Sequence, residues 1–177
     1  MTNTAWYAVS VRSNFERIVA QSLSQKGYDV LLPTYLSERR WSDRTKSVEC
    51  ALFPGYLFCH MDLQRRVPLL NTSGVASILG VGRYPLPVKD SEIEAIQQII
   101  ASGLPVAPFP FLRAGQPVRI NQGPLAGLEG IVVTAKNQSR LVISVEMLQR
   151  SVTVEIERGW AEPARREYTV AGAYSAA

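Results

Sequence analysis

Residues 115–132 read GQPVRINQGPLAGLEGIV. Val118 and Ile120 alternate with Arg119, and Ile131 and Val132 resume the β-branched character after a loop punctuated by Gly123, Gly127 and Gly130. Such residues predict a strand, a loop and a second strand, with glycine where the backbone takes positive φ or passes close to a neighbour. Similar runs follow, so strands are expected at 117–121, 130–135, 140–147 and 151–156, with turns rich in Gly, Pro and Asn. Short strands at even spacing without a helix between them point to a small closed barrel over residues 113–164.

Toward the N-terminus the composition changes. Residues 103–114, GLPVAPFPFLRA, carry three prolines and no periodicity, which is the composition of a semi-extended linker. The boundary is placed there, with residues 1–102 as one domain and 103–112 as the linker. Residues 6–11 read as a strand. Ser13 and Glu16 form an S-x-x-E box opening a helix in which Phe15, Ile18, Val19 and Leu23 recur at helical spacing as far as Gly27.

An extended pattern resumes over 30–35, residues 38–46 suit a polar hairpin tip, and Leu52 to Phe58, LFPGYLF, leads into another strand. There Tyr56, Phe58 and His60 point one way and Leu57, Cys59 and Met61 the other, because strand side chains alternate. A short helix is expected near 64–71, a strand at 75–79, and a helix opened by Asp90 or Ser91. Ser91 and Glu94 repeat the S-x-x-E pattern, Ile93, Ile96, Ile99 and Ile100 supply its apolar stripe, and Gly103 ends it. The first domain is thus α+β, helices packed on an antiparallel sheet, ahead of an all-β second domain. Residues 165–177 have too little apolar content to pack and are expected to form a disordered tail.

Of 177 residues, 46% are hydrophobic, and no apolar run approaches the ~20 residues of a membrane span. With no secretory pattern at the start, the expectation is a cytoplasmic protein. Cys50 and Cys59 lack zinc-ligand companions and read as reduced thiols. His60 is the only histidine, and neither a nucleophile arrangement, a phosphate loop nor a metal cluster accompanies it, so the reading is of a chain that is not an enzyme and uses no cofactor or metal. The net charge of +4 fits a phosphate-bearing or acidic partner only loosely.

The strand-loop-strand of residues 115–132, with Gly115, Val118, Gly123, Pro124, Gly127 and Gly130, resembles the KOW motif of transcription and ribosomal proteins. WYAV at Trp6 to Val9, the helix opening Asn14-Phe15-Glu16, Leu32-Pro33, FPGYLF at Phe53 to Phe58 and Gly74-Val75 occur in the order of the NusG N-terminal (NGN) domain. Over residues 5–162 the chain resembles the NusG family. The short passage Lys26-Gly27-Tyr28-Asp29-Val30 resembles the specialised paralogues, RfaH and the UpxY-like antiterminators.

That resemblance implies a ferredoxin- or RNP-like NGN domain joined to an SH3-like KOW barrel. It implies a monomeric elongation and antitermination factor that docks on the β′ clamp helices of bacterial RNA polymerase through Trp6, Phe53, Tyr56 and Phe58. Periodicity alone suits Phe53 and Phe58 equally to the core. Arg12, Arg17, Arg39, Arg40, Trp41 and Arg44, with Lys46, are candidate contacts to non-template DNA or nascent RNA; a solvated hairpin is the competing reading for the group from 39 to 46. Arg65 and Arg66 fall near the β gate-loop contact of RfaH-like proteins, whose His-Thr-Thr is absent here. Met147, Leu148 and Arg150 match the turn with which NusG meets a small-subunit ribosomal protein and Rho; Leu148 and Gln149 depart from the pattern expected for Rho. Leu148 as a cap on the barrel is the competing reading. RfaH has a C-terminal domain that also exists as a helical hairpin, but Val142, Ile143, Val145, Val152, Val154 and Ile156 favour strands here. The rival functions are a housekeeping NusG coupling transcription to translation or termination, and a KOW-containing RNA-binding module of the ribosome.

Overall fold

Strand β1 (Thr4–Val11) is the centre from which the N-terminal region is built. The structure, a computed structural model, describes residues 4–42, 44–111, 115, 117–135, 138–157 and 159–164. After β1 come α1 (Glu16–Gln25), β2 (Asp29–Leu31), β3 (Thr34–Arg40), β4 (Thr45–Ala51) and β5 (Tyr56–Asp62). Then follow a 3-10 turn, α2 (Arg66–Leu70), β6 (Val75–Ile78), β7 (Gly80–Val81), β8 (Tyr84–Pro85) and α3 (Asp90–Ala101). The remainder is β9 (Val106–Phe109), β10 (Pro117–Ile120), β11 (Glu129–Ala135), β12 (Gln138–Val145), β13 (Arg150–Ile156) and β14 (Ala161–Pro163).

A four-stranded antiparallel sheet runs β2-β5-β1-β6, with β3-β4 and β7-β8 as separate hairpins. Alternation along β1 and β5 gives it two apolar faces. Tyr7, Val9, Val11, Leu57, Cys59 and Met61 pack with Val19 and Leu23 of α1 and Leu69 of α2. Ala8 and Phe58 face the other way, in a core shared with Ile93, Ile96 and Ile99 of α3. That core continues into the C-terminal region through Val118, Ile120, Leu141, Ile143 and Val145. There a second antiparallel sheet runs β14-β10-β11-β12-β13-β9.

The strands expected between 117 and 156 form with boundaries shifted by one to two residues, and no helix longer than a 3-10 turn interrupts them among the described residues. Four expectations differ from what is seen. The composition of 103–112 suggested a linker, but Val106–Phe109 is a strand on β13, because the β13 edge needs hydrogen-bond partners and Pro108, the one proline within the strand, faces Val152 at a position where no N–H is demanded. Neither S-x-x-E box closes: α1 is capped at Phe15 without a side-chain bond, and Glu16 Oε1 instead accepts Gly55 N at 2.8 Å. Likewise α3 starts at Asp90, so Ser91 already lies inside the helix. The hairpin tip expected at 38–46 from its polar composition is much shorter, since the two strands are paired up to Arg40 and from Thr45. The expected tail, 165–177, lies outside the described residues.

Candidate partner-binding surfaces

The Pro54-Gly55 turn sets the first surface. Tyr56 N donates to Phe53 O at 3.0 Å and Gly55 sits at φ +83°, as Pro then Gly at the turn centre allows. Glu16 of α1 and Val11 of β1 bond both sides of Gly55, so the turn is held by the first helix and the central strand.

The β1–β5 register then places Ser10 opposite Tyr56, Ala8 opposite Phe58 and Trp6 opposite His60. Phe53 and Phe58 meet edge-on, ring centroids 5.6 Å apart, and are only 1% and 0% exposed. Trp6 and Tyr56 are half-buried on the same core, and the Trp6 and His60 rings lie 5.2 Å apart. The four aromatic positions singled out in the sequence therefore form two layers. Phe53 and Phe58 build the support, and Trp6 and Tyr56 are the rings that reach the surface.

The C-terminal sheet rests beside this support, along α3. Gln98 Nε2 donates to Pro124 O at 3.1 Å and Ala126 O at 3.2 Å. Lys89 Nζ meets Glu146 Oε2 at 3.0 Å, which raises the lysine pKa, and Glu146 N points at Glu92 Oε1. Partial burial raises the Glu92 pKa, against the opposing pull of the Glu146 N–H and Lys89. A cleft of about 430 Å³ is lined by Leu52 and Pro54 on one side and by Pro108, Phe109, Gln149 and Arg150 on the other. The turn carrying Met147, Leu148 and Arg150 thus adjoins the start of α3 and the 52–54 loop. Leu148 is buried, Met147 half-buried and Arg150 exposed.

The β3–β4 hairpin carries the basic group. Arg39 stands directly opposite Lys46, an arrangement of like charges that is unfavourable in a sheet unless an anion lies near. Arg40, Trp41 and Arg44 surround the tip, with Trp41 61% exposed. Among the described residues the ion pairs are Arg17–Glu49, Lys89–Glu146 and Arg140–Glu155, none of which uses these cations. Arg17 is instead tied to the hairpin base through Glu49, whose carboxyl the Thr34 hydroxyl and the Arg17 guanidinium hold below its ordinary pKa. Arg12 is exposed, its backbone N–H bonded to Gly74 O. Arg65 stacks 4.7 Å over the Tyr28 ring and bonds Lys26 O, which gives it a structural task; Arg66 is exposed.

The loop glycines of 115–132 also have distinct positions. A Cβ on Gly123, at φ +75°, would lie 2.7 Å from the Trp160 ring, and one on Gly130 would lie 2.6 Å from Val142 O. Gly115 precedes β10, Val118 is buried in it, Pro124 sits in the 3-10 turn at Gly123–Leu125, and Gly127 N bonds Ile120 O at 2.7 Å. Sequence reading missed Lys89 and Glu92, which meet Glu146, and Gln98, which meets the 124–126 loop, contacts across tens of residues with no motif to announce them. It also missed the β7–β8 hairpin, whose Val81 and Tyr84 are 68% and 79% exposed. Among the described residues no three His, Cys, Asp or Glu side chains gather as metal ligands.

Comparison with known proteins supplies the remaining information. The family model described as transcription termination factor nusG matches residues 4–97. The transcription termination/antitermination protein NusG of Vibrio parahaemolyticus is 36% identical over 89% of this chain and 94% of its own length. Those of Thermus thermophilus and Escherichia coli K12 are each 32% identical, over 86% and 90% of this chain and 94% and 96% of theirs. A solved structure described as "Domain interaction in Thermotoga maritima NusG" superposes with a TM-score of 0.59 at 21% identity, covering 92% of this chain and 98% of that one.

Proposed function

The chain belongs to the NusG family and is a NusG-like transcription factor, and from that premise we propose that it is an antiterminator that acts by bridging rather than by catalysis. The N-terminal sheet docks on the β′ clamp helices of RNA polymerase through Trp6 and Tyr56, supported from beneath by Phe53 and Phe58. Binding that favours the closed clamp over the open one raises processivity, since a ligand shifts an equilibrium only by its difference in affinity for the two states. The observation that carries this reading is the paired face itself: two half-exposed rings on a buried aromatic support, a pattern that suits a protein partner.

The basic tip of β3–β4 contacts nucleic acid near the polymerase, where Arg39 and Lys46 gain a phosphate to relieve their repulsion and Trp41 offers a stacking surface. The C-terminal sheet recruits a second protein, with the half-buried Met147 and the exposed Arg150 as the side chains its turn offers. The housekeeping role stands as the second reading, favoured by the names of the relatives at 32–36% identity. Capture of Rho by the full chain would select it.

The test is binding of the full chain to core RNA polymerase, comparing wild type with a Trp6→Ala, Tyr56→Ala variant whose fold is checked by circular dichroism. A folded variant with at least tenfold weaker binding supports the docking face. Equal binding places the contact elsewhere.

A further inference from the structure

The β3–β4 hairpin belongs to neither large sheet, its strands pairing only with each other, from Thr34 opposite Ala51 out to Arg40 opposite Thr45. At its base Leu52 N donates to Pro33 O at 2.9 Å, and Tyr35 packs half-buried on the shared core. Directly paired residues share a face of the ribbon, so Tyr35 and Cys50 lie on one side and Leu36 and Glu49 on the other. The first side rests on the core. The second is met by α1: Arg17 donates to Glu49 Oε2, while Thr34 Oγ1 donates to Glu49 Oε1 at 2.6 Å, so both carboxylate oxygens are engaged. Among the described residues the Arg17–Glu49 pair is the one side-chain polar link between the hairpin and the rest of the chain. The residue before Arg17, Glu16, accepts Gly55 N at 2.8 Å. One turn of α1 thus holds the base of the basic arm and the Pro54-Gly55 turn ahead of Tyr56.

Beyond that base the hairpin is a lever. From Glu49 to Thr45 it projects about 13 Å, at ~3.3 Å per residue, so a swing of about 10° at the base moves the tip by about 2 Å. A charge-assisted hydrogen bond to an oxygen forms only near about 2.7–2.9 Å, so a displacement of that size breaks it. Arg39, Arg40, Trp41, Arg44 and Lys46 all ride on this arm. An exposed ion pair adds little to the stability of a fold. It can still select one direction for an arm whose alternatives differ little in energy.

We propose that Arg17 and Glu49 are positioning residues that set the direction of the basic arm relative to the Trp6 and Tyr56 face. Arg17 then works through Glu49 instead of touching a phosphate, and the Thr34 hydroxyl fixes the carboxylate between arm and helix. With Glu16 bonded on the aromatic side and Arg17 on the basic side, α1 keeps the two surfaces at one spacing, so a partner that engages both meets them in register. The benefit to nucleic-acid binding rests on the function proposed above, whereas the orientation of the arm does not.

Residual dipolar couplings of the full chain test it by reading the direction of the β3–β4 amides against those of β1 and β5. In Glu49→Lys two cations face each other, and the hairpin couplings should depart from the alignment that fits the sheet while the sheet couplings stay as they are. Arg17→Glu with Glu49→Arg restores an opposite pair at the same net charge and should return the hairpin couplings to their wild-type values. Binding to an elongation complex of core RNA polymerase on a DNA–RNA scaffold then reads the consequence. On charge alone Glu49→Lys should bind more tightly, because a positive charge replaces a negative one near phosphate. A turned arm predicts the opposite: binding weaker by about fivefold or more, with the exchanged pair within about twofold of wild type. Unchanged hairpin couplings in Glu49→Lys overturn the proposal, as do couplings that the exchanged pair fails to restore, or tighter binding by Glu49→Lys. An Arg39→Ala, Arg40→Ala chain that binds the same complex as tightly as wild type refutes instead the nucleic-acid reading of the arm, and the couplings still decide its orientation.

Discussion

Replacing Phe58 with alanine distinguishes the rings that hold the fold from those that meet a partner. Phe58 is 0% exposed and meets Phe53 edge-on at 5.6 Å. Removing a buried phenyl group from a core costs ~3–5 kcal/mol through lost transfer energy and the cavity left behind, and an edge-on aromatic partner places this site toward the upper half. We expect a loss of about 4 kcal/mol, a large share of the ~5–15 kcal/mol that keeps a domain folded. For a chain of this size the melting temperature then falls by roughly 8–16 °C. Tyr56→Ala, at a half-buried position, should cost about 1 kcal/mol. Urea unfolding followed by far-ultraviolet circular dichroism measures both, with an unchanged denaturant slope as the check that the unfolded state is the same. If the reasoning holds, Tyr56→Ala loses polymerase binding while still well folded, and Phe58→Ala loses binding only as it loses structure. A Phe58→Ala chain within about 1 kcal/mol of wild type would refute the assignment of this ring to the support.

Glu92→Gln should stabilise the chain at pH 7 but not in acid. The raised carboxyl pKa means that the fold favours the protonated form, so the contribution of Glu92 is complete below its ordinary pKa and is lost as pH rises through the raised value; urea midpoints across pH 4 to 8 check the sign. Burial pushes the Cys59 thiol up to about 12, so a thiol reagent at pH 8 should modify the half-buried Cys50 first and reach Cys59 only on unfolding, as mass spectrometry would record. Gly123→Ala should cost ~1–3 kcal/mol in thermal unfolding, because its φ of +75° is strained for alanine and the added carbon lies 2.7 Å from the Trp160 ring. Removing Arg39 and Arg40 together should weaken single-stranded DNA binding and lower the slope of log affinity against log salt by about 1–2; an unchanged slope would mean that these side chains touch no phosphate.

Most of the architecture was legible because it rests on local signals. Alternation along 56–61 foretold two apolar faces, and those faces pack against helices on both sides. The isoleucine stripe of 93, 96 and 99 foretold the buried side of α3, though Ile100 is 38% exposed. The failures share one cause. Whether 106–109 is a linker or a strand depends on the edge that β13 presents, which no local pattern encodes. Glu16 leaves its expected capping bond because Gly55 offers its N–H from another part of the chain. The site was legible in residue type but not in depth: LFPGYLF announced aromatic chemistry, while the division into support and surface came from the β1–β5 register and the packing of α3.

The prolines of β9 also bear on how copies of the chain treat one another. With Ala107 and Phe109 directed at β13, the outward positions of this edge are Val106, Pro108 and Pro110, so a neighbouring molecule finds few donors along which to extend the sheet. Were β9 to leave β13, the same molecule would show a bare β13 edge and carry a loose strand that fits it. Two such molecules can exchange strands and form a swapped dimer with no new contact chemistry. Crowded or heated preparations are therefore the conditions in which exchange of this strand between copies should be sought.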